Sequence, residues 1–302
     1  LASMKILITG VAGTLGLPLL AALCEKGHDV IGCDLKHSNS LRIKRCDIRH
    51  HHRLQNIFGY FQPEIVFHFA AEFGRKNSEA FWEDLWTTNC IGTRNVIECC
   101  KQHDSFLVFA SSSEAYGTLA EDGILYEDLL NCAMPKFYNE YALSKLANEK
   151  QIQLSGVRHL ILRIFNVYGP GEHYTPYRSV VSQFLYHAIN NETLSAWKGE
   201  RTFLYVDDFI RALCAIPEKV HILTGEIINC ADDERIEIPF LAETCVALCG
   251  SGEVRKKNTV EANNTPKKIP DISKFKTLLG YKKSVSLEEG LKRTLAWMVV
   301  DD

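Results

Sequence analysis

Several absences narrow the class of this chain before any motif is read. No apolar run approaches the roughly 18 residues needed to cross a bilayer, so no membrane partner is expected. No charge dominates: 34 Lys and Arg stand against 37 Asp and Glu, a formal charge of -3, with no basic run to displace counterions from a polynucleotide. Nucleic acid is therefore not an expected partner. The 11 cysteines include no C-x-x-C pair; they are scattered or, as Cys99 and Cys100, adjacent, and they fit buried reduced thiols. The run His50-His51-His52 has no shared face and no repeated ligand spacing, so it reads as a solvated loop and no metal is expected. Internal repeats and low-complexity tracts are missing too. Leu1-Ala2-Ser3 reads as an appended leader, and Met4 leads straight into a strand with no secretory apolar region, which points to the cytoplasm.

What is present is an ordinary globular composition, 46% apolar and 24% charged, over 302 residues, enough for one large domain or two small ones. Short β-branched runs alternate with amphipathic stretches, the pattern of a parallel sheet crossed by helices. Strands are predicted at 5–9, 29–34, 65–69, 106–111 and 159–165, and helices at 15–26, 83–103 and 138–155. The near-continuous apolarity of 65–69 and 106–110 predicts strands covered on both faces. The fold class is therefore α/β, a Rossmann-type doubly wound parallel sheet. Residues 4–166, with a return around 203–230, are expected to form a dinucleotide-binding domain, and 167–302 mainly a smaller α/β substrate lobe. The polar stretch 255–268 reads as a surface connection.

Gly10, Gly13 and Gly16, with Thr14 and Leu15 between the last two, sit where a strand gives way to a helix. Gly10 permits the tight turn, Gly13 lets backbone approach a pyrophosphate, and Gly16 lets helix and strand pack closely with the helix N-terminus facing the anion. Asp34 closes the second strand and would bind an adenosine ribose while repelling a 2′-phosphate, which favours NAD over NADP. Tyr141 and Lys145 stand at i and i+4, hence on one helix face. A free phenol titrates near ~10, so acting as a base near neutrality needs a shift of about three units, roughly 4 kcal/mol of phenolate stabilisation, from Lys145 and a positive nicotinamide ring.

With these come Asp47-Ile48, His68-Phe69-Ala70-Ala71, Ser111 through Gly117, Arg163 through Pro170, Tyr205 through Asp208, Pro270 through Lys274 and Ser286 through Leu291. So furnished, the chain resembles the extended short-chain dehydrogenase/reductases, in particular the NAD-dependent sugar-nucleotide epimerases, dehydratases and decarboxylases. The resemblance implies that Ser112 bonds the C4 hydroxyl of the sugar, Tyr141 takes its proton, and Lys145 holds the nicotinamide ribose and lowers the phenol's proton affinity. It implies Asp47 and Ile48 against adenine, Phe69, Ala70, Ala71 and Ser111 along the cofactor channel, and Phe165 and Val167 near the nicotinamide. Asn166 and Arg201 would meet the substrate diphosphate, and Glu72, Arg75, Arg178, Val180 and Lys267 would line the substrate side. The substrate implied is a UDP-, dTDP- or GDP-linked hexose, and the assembly a homodimer built from the Tyr141 helix and the 83–103 helix.

The residues after Ser112 bear on the reaction that follows oxidation. Four-epimerases of this kind usually carry small or apolar side chains at the positions of Ser113 and Glu114, whereas 4,6-dehydratases place a carboxylate at Glu114's position to remove the C5 proton. The leading expectation is therefore 4,6-dehydration with Glu114 as C5 base. The hydroxyl of Ser113 is too weak an acid to stand in for the Asp often found there. UDP-glucuronate decarboxylase and UDP-hexose 4-epimerase stay open, because Ser113-Glu114, 178–184 and 267–272 also look like the decarboxylase pattern. Two features depart from that pattern: Gly171 replaces the arginine expected after Pro170, and Lys267-Lys268 replaces paired arginines. Two more distant readings are a keto-sugar reductase and an NAD sensor without chemistry.

Overall fold

The computed structural model describes residues 2–74, 79–121 and 123–301. One sheet organises them. Its strands are β1 (Lys5–Thr9), β2 (Asp29–Asp34), β3 (Ile43–Arg45), β4 (Ile65–His68), β5 (Phe106–Ser112), β6 (His159–Ile164) and β7 (Ile227–Cys230), all parallel, in the spatial order β7-β6-β5-β4-β1-β2-β3. The period of two along each strand divides the core. Ile6, Ile8, Phe67, Val108 and Leu162 face one buried cluster, while Leu7, Val66, Leu107, Phe109 and Ile161 face another. Burial on both faces is why these segments read as unbroken apolar runs. This is the doubly wound Rossmann-type sheet. The chain runs outward from β1 to β3 and then crosses to β4, so the crevice above the carboxyl ends of β1 and β4 is the switch point where such sheets bind ligands.

The helices that matter for the site are α1 (Gly16–Glu25), α2 (His51–Phe61), α3 (Thr93–Gln102), α4 (Glu140–Ser155) and α5 (Val180–Ile189). The helix predicted over 83–103 is interrupted: Trp82–Trp86 is α-helical, Thr87–Gly92 widens to a π-helix, and α3 follows. The 138–155 prediction loses its start because Asn139 caps α4, its side chain accepting from the Ala142 N–H at 2.9 Å; Gly156, at φ 75°, ends it.

Two expectations are corrected. The histidine run is not a solvated loop: His51 and His52 open α2, whose Leu54, Phe58 and Phe61 are buried. Those three apolar residues at helical spacing outweigh the polar start. The stretch 255–268 is more than a surface connection. Residues Glu253–Lys257 pair in parallel with Thr193–Trp197, and the same stretch ends by carrying Thr265 and Lys268 into the interior. Further parallel pairs, Asn166–Tyr168 with Phe203–Tyr205 and Ile124–Leu125 with Ile269–Pro270, fasten the C-terminal half above the sheet.

Candidate active site

A single cavity of about 1130 Å³ runs from the glycine turn, past Tyr141, to α5 and the Thr193–Trp197 strand. At its first end the glycines divide their work. A Cβ on Gly10, at φ 71°, would sit 2.5 Å from the Ala70 nitrogen, and one on Gly16 would sit 2.5 Å from the Val11 backbone. Neither position admits a side chain. On Gly13 a Cβ would come no nearer than 3.3 Å to the chain, at the Gly10 carbonyl, although Gly13 lines the cavity. The space a side chain would take there opens onto the cavity. α1 begins at this turn with no acidic residue in its first turn, so its positive end is left to an anion. The Asp34 carboxylate accepts from the Ala12 N–H at 2.9 Å and the Lys36 N–H at 3.0 Å, which holds it at the rim of the turn. Thr14 donates to the Gly171 carbonyl at 3.1 Å, tying the turn to the loop after Pro170. Asp47, Ile48, Phe69, Ala70, Ala71, Ser111, Phe165 and Val167 also line the cavity, as do Thr14 and Leu15. Asp47 is chelated by the Arg49 guanidinium, at 3.0 and 2.9 Å, and its carboxyl lies below the usual range despite partial burial. A close-packed glycine turn, a helix N-terminus without acidic residues and a carboxylate at the rim together are features that fit NAD.

Midway, α4 lies along β5 and presents Tyr141 and Lys145 to it. Both are buried. Burial pushes the Tyr141 phenol well above its ordinary value, with the charge of Glu114 adding to the rise and a hydrogen bond with Ser112 opposing it. Burial pulls the Lys145 ammonium down to about 8, opposed by Cys90 and Glu149. The Lys145 Nζ donates to the Ala110 carbonyl at 2.8 Å and lies 5.6 Å from the centre of the Tyr141 ring. The phenol is thus a protonated group that a nearby positive charge would make more acidic. His68, beneath them, is held neutral by burial and by Lys145, its ring down to about 3, with Thr9 Oγ1 at 2.7 Å and Thr93 Oγ1 at 2.9 Å on its two nitrogens.

Beyond Ser112, the chain turns so that Ser113 and Glu114 face the cavity. The Glu114 N–H donates to Ser112 Oγ at 3.2 Å. Its carboxylate forms an ion pair with the Lys268 ammonium, whose side chain is 5% exposed. The sequence reading assigned the substrate role to Lys267, and that is corrected. Lys267 is 61% exposed, lies 3.8 Å from Glu200 and does not line the cavity, while its neighbour turns inward. Alternation along the extended segment, bridged at Lys267 to Glu200 and paired at Ile269 to Ile124, sends the two lysines opposite ways.

Arg201 lines the cavity, and its terminal nitrogens donate to the carbonyls of Glu200, Pro266 and Thr265 and to the Asn264 side chain, at 2.6 to 3.1 Å. It staples the loop that delivers Lys268. Asn166 donates to the Thr202 carbonyl at 3.0 Å. Glu72, Asn166, Arg178 and Val180 all line the cavity; Arg75 lies outside the described residues.

Three participants escaped the sequence reading. Lys268 reads in the sequence only as the second of two adjacent lysines. Phe73 stands edge-on to Tyr141 at 6.1 Å, and the Arg178 guanidinium lies 5.6 Å from the centre of its ring. Asn89, on the π-helical turn, exchanges hydrogen bonds with the backbone of Glu72 at 2.8 and 3.1 Å and donates to Ser144 Oγ at 3.2 Å. An asparagine inside an otherwise helical stretch was the one signal of the last.

The comparisons with known proteins agree with this geometry. The sequence pattern of the NAD dependent epimerase/dehydratase family matches residues 6–231. The UDP-N-acetyl-alpha-D-glucosaminuronate decarboxylase of Bacillus cytotoxicus is 31% identical, over 97% of this chain and 97% of its own length. The UDP-glucuronate 4-epimerase of Thermodesulfobacterium geofontis is 28% identical over 96% and 95%. Among solved structures, the UDP-glucuronic acid 4-epimerase of Bacillus cereus, in complex with UDP-glucuronic acid and NAD, aligns with a TM-score of 0.87 at 26% identity over 99% of this chain and all of that one. The UDP-glucose 4-epimerase of Thermotoga maritima, with UDP-glucose, has a TM-score of 0.87 at 27% identity over 99% of each chain. A nucleotide cradle at the switch point, a Tyr-Lys pair facing a serine, and a family-wide match over most of its length make this chain a member of the NAD-dependent epimerase/dehydratase family.

Proposed function

We propose that the chain oxidises C4 of a UDP-linked hexuronate and then releases the C6 carboxylate as carbon dioxide, in place of the 4,6-dehydration expected first from the sequence. The observation that carries this reading is the buried Lys268 ammonium against Glu114, next to Ser112 and Tyr141 on the cavity wall. An ammonium paired with Glu114 Oε1 opposes proton uptake by that carboxylate, which counts against Glu114 as the C5 base. A buried cation at the sugar end, by contrast, suits a sugar that brings its own carboxylate.

Bound NAD supplies the two-electron acceptor for C4. Ser112 and Tyr141 hold the C4 hydroxyl, Tyr141 takes its proton, and Lys145 stabilises the phenolate. With C4 a ketone, the C6 carboxylate is β to a carbonyl. The electron pair of the C5–C6 bond then passes into the C4 carbonyl as carbon dioxide leaves, C5 collects a proton, and C4 regains the two electrons it gave up, with its proton returned from Tyr141, so that the net change is loss of carbon dioxide alone. Lys268 neutralises the incoming carboxylate, while Glu114, sharing the same ammonium, repels it and favours its departure as a neutral molecule. The relative from B. cytotoxicus supports this reading. A second reading, 4-epimerisation of a UDP-hexuronate, is favoured by the T. geofontis and B. cereus relatives and uses the same first step and the same lysine.

The test is the product mass after incubating the NAD-loaded protein with UDP-glucuronate, UDP-N-acetylglucosaminuronate and UDP-glucose. Loss of carbon dioxide supports decarboxylation. Loss of water returns the dehydratase reading, unchanged mass with altered retention selects the epimerase, and no product from any of the three sinks the proposal.

We also propose a homodimer. Exposed Phe81, Trp82 and Ile91 on one helical stretch, and Leu143 and Leu154 on α4, give two neighbouring helices apolar outer surfaces that a second copy would cover.

A further inference from the structure

α4 meets β5 in three successive rungs. Tyr141 faces Ser112, Lys145 bonds the Ala110 carbonyl, and one further turn along, Glu149 accepts from Ser111 Oγ at 2.5 Å. The spacing of four residues keeps all three on one helix face. The third rung is the best buried. Glu149 is 0% exposed and Arg163, on β6, 1% exposed, and the guanidinium grips the carboxylate at both oxygens, 3.0 Å to Oε1 and 2.8 Å to Oε2. Arg163 is itself fixed by the Tyr116 hydroxyl at 3.0 Å and the Glu127 carbonyl at 2.8 Å. A planar fork gripping a planar carboxylate fixes orientation as well as distance. Neither residue touches the sugar or cofactor region, because neither lines the cavity.

We infer that Glu149 is a positioning residue for the C4 oxidation: clamped between Ser111 and Arg163, it sets the register of α4 on β5 and with it the placement of Tyr141 and Lys145. The inference rests on the C4-oxidising reading and is independent of the step that follows. The titratable groups facing Lys145 are Glu149 and Tyr141 on its own helix, Cys90 on the π-helical turn and His68 on β4. Of these, Glu149 favours the Lys145 ammonium through its charge, while burial pushes the Cys90 thiol up to about 11 and His68 is neutral. A helix slipped by a fraction of an ångström would misplace the phenol and the ammonium together, and misplacements of that size cost up to about 10²-fold in rate.

Two variants separate charge from reach. Glu149→Gln keeps the shape and removes the charge; Glu149→Asp keeps the charge and shortens the arm. The protonation of Lys145 is read without turnover, from the pH dependence of its acylation by acetic anhydride followed by mass spectrometry. The parent midpoint is expected near 8. In Glu149→Gln it falls by about one pH unit, and in Glu149→Asp it stays. Turnover on whichever UDP-sugar the parent oxidises is expected to fall about tenfold or more in kcat for Glu149→Asp, with KM unchanged. Thermal melts establish that each variant is folded; if Glu149→Gln is not, the Asp variant carries the test. A Gln midpoint on that of the parent, or an Asp variant with the parent's kcat, overturns the inference.

Discussion

Tyr141 and Lys145 draw their reactivity from being dry. The phenol is held protonated and the ammonium is pulled to about 8 by the same loss of water, so each becomes sensitive to charges that bulk solvent would screen. Tyr141→Phe is expected to lower kcat by about 10² to 10⁴-fold with NAD retained, measured on any UDP-sugar the parent oxidises. Turnover should also decline as pH rises through about 8, where Lys145 loses its proton. At Lys268 the proposed function makes a sharper demand. Lys268→Gln should raise KM for a UDP-hexuronate at least about tenfold and change KM for UDP-glucose far less, while Lys268→Arg should keep hexuronate binding. Equal losses on both sugars would show that Lys268 serves only to anchor its loop. Spacing showed Tyr141 and Lys145 as a pair on one helix face, and the resemblance of the surrounding motifs supplied their roles. The choice between Lys267 and Lys268 was not legible in the sequence, since two adjacent lysines look alike until a strand pairing assigns one to each side.

At the scale of elements, the glycine turn and β4 offer contrasting tests. Gly16→Ala forces a Cβ against backbone at 2.5 Å and should destabilise the protein by about 1 to 3 kcal/mol, visible as a lower melting temperature. Gly13→Ala meets only a carbonyl at 3.3 Å and should leave melting nearly unchanged while weakening NAD binding, measured by titration. If both variants lose stability equally, the reading of Gly13 as ligand space is wrong. On β4, His68 takes a proton only near 3 when folded, against 6.5 when exposed. Between those values the unfolded chain binds more protons, so stability falls as pH falls across that window. His68→Gln should flatten the melting-temperature profile there. Strand positions were legible here because sheet burial writes itself as apolar runs. The π-helical turn was not, because an extra residue in a helix leaves the apolar spacing on either side almost intact.

Across the described residues, the parallel sheet and the C-terminal half of the chain share the cavity above the switch point. The molecule's assembly is testable: Leu154→Lys, at a position 88% exposed on α4, should shift the mass in light scattering from dimer to monomer. An unshifted mass would place any interface elsewhere. Sequence by itself determined the sheet, the nucleotide turn and the Tyr-Lys helix, because each is written in local periodicity or in a steric requirement confined to a few neighbouring residues. Only the tertiary structure decided that Lys268 reaches Glu114 across 154 positions, that Arg201 staples the loop bringing it there, and that Glu149 and Arg163 close over Ser111. Those contacts join segments far apart in the chain, and buried charges find their partners only after the packing that brings the segments together has excluded water.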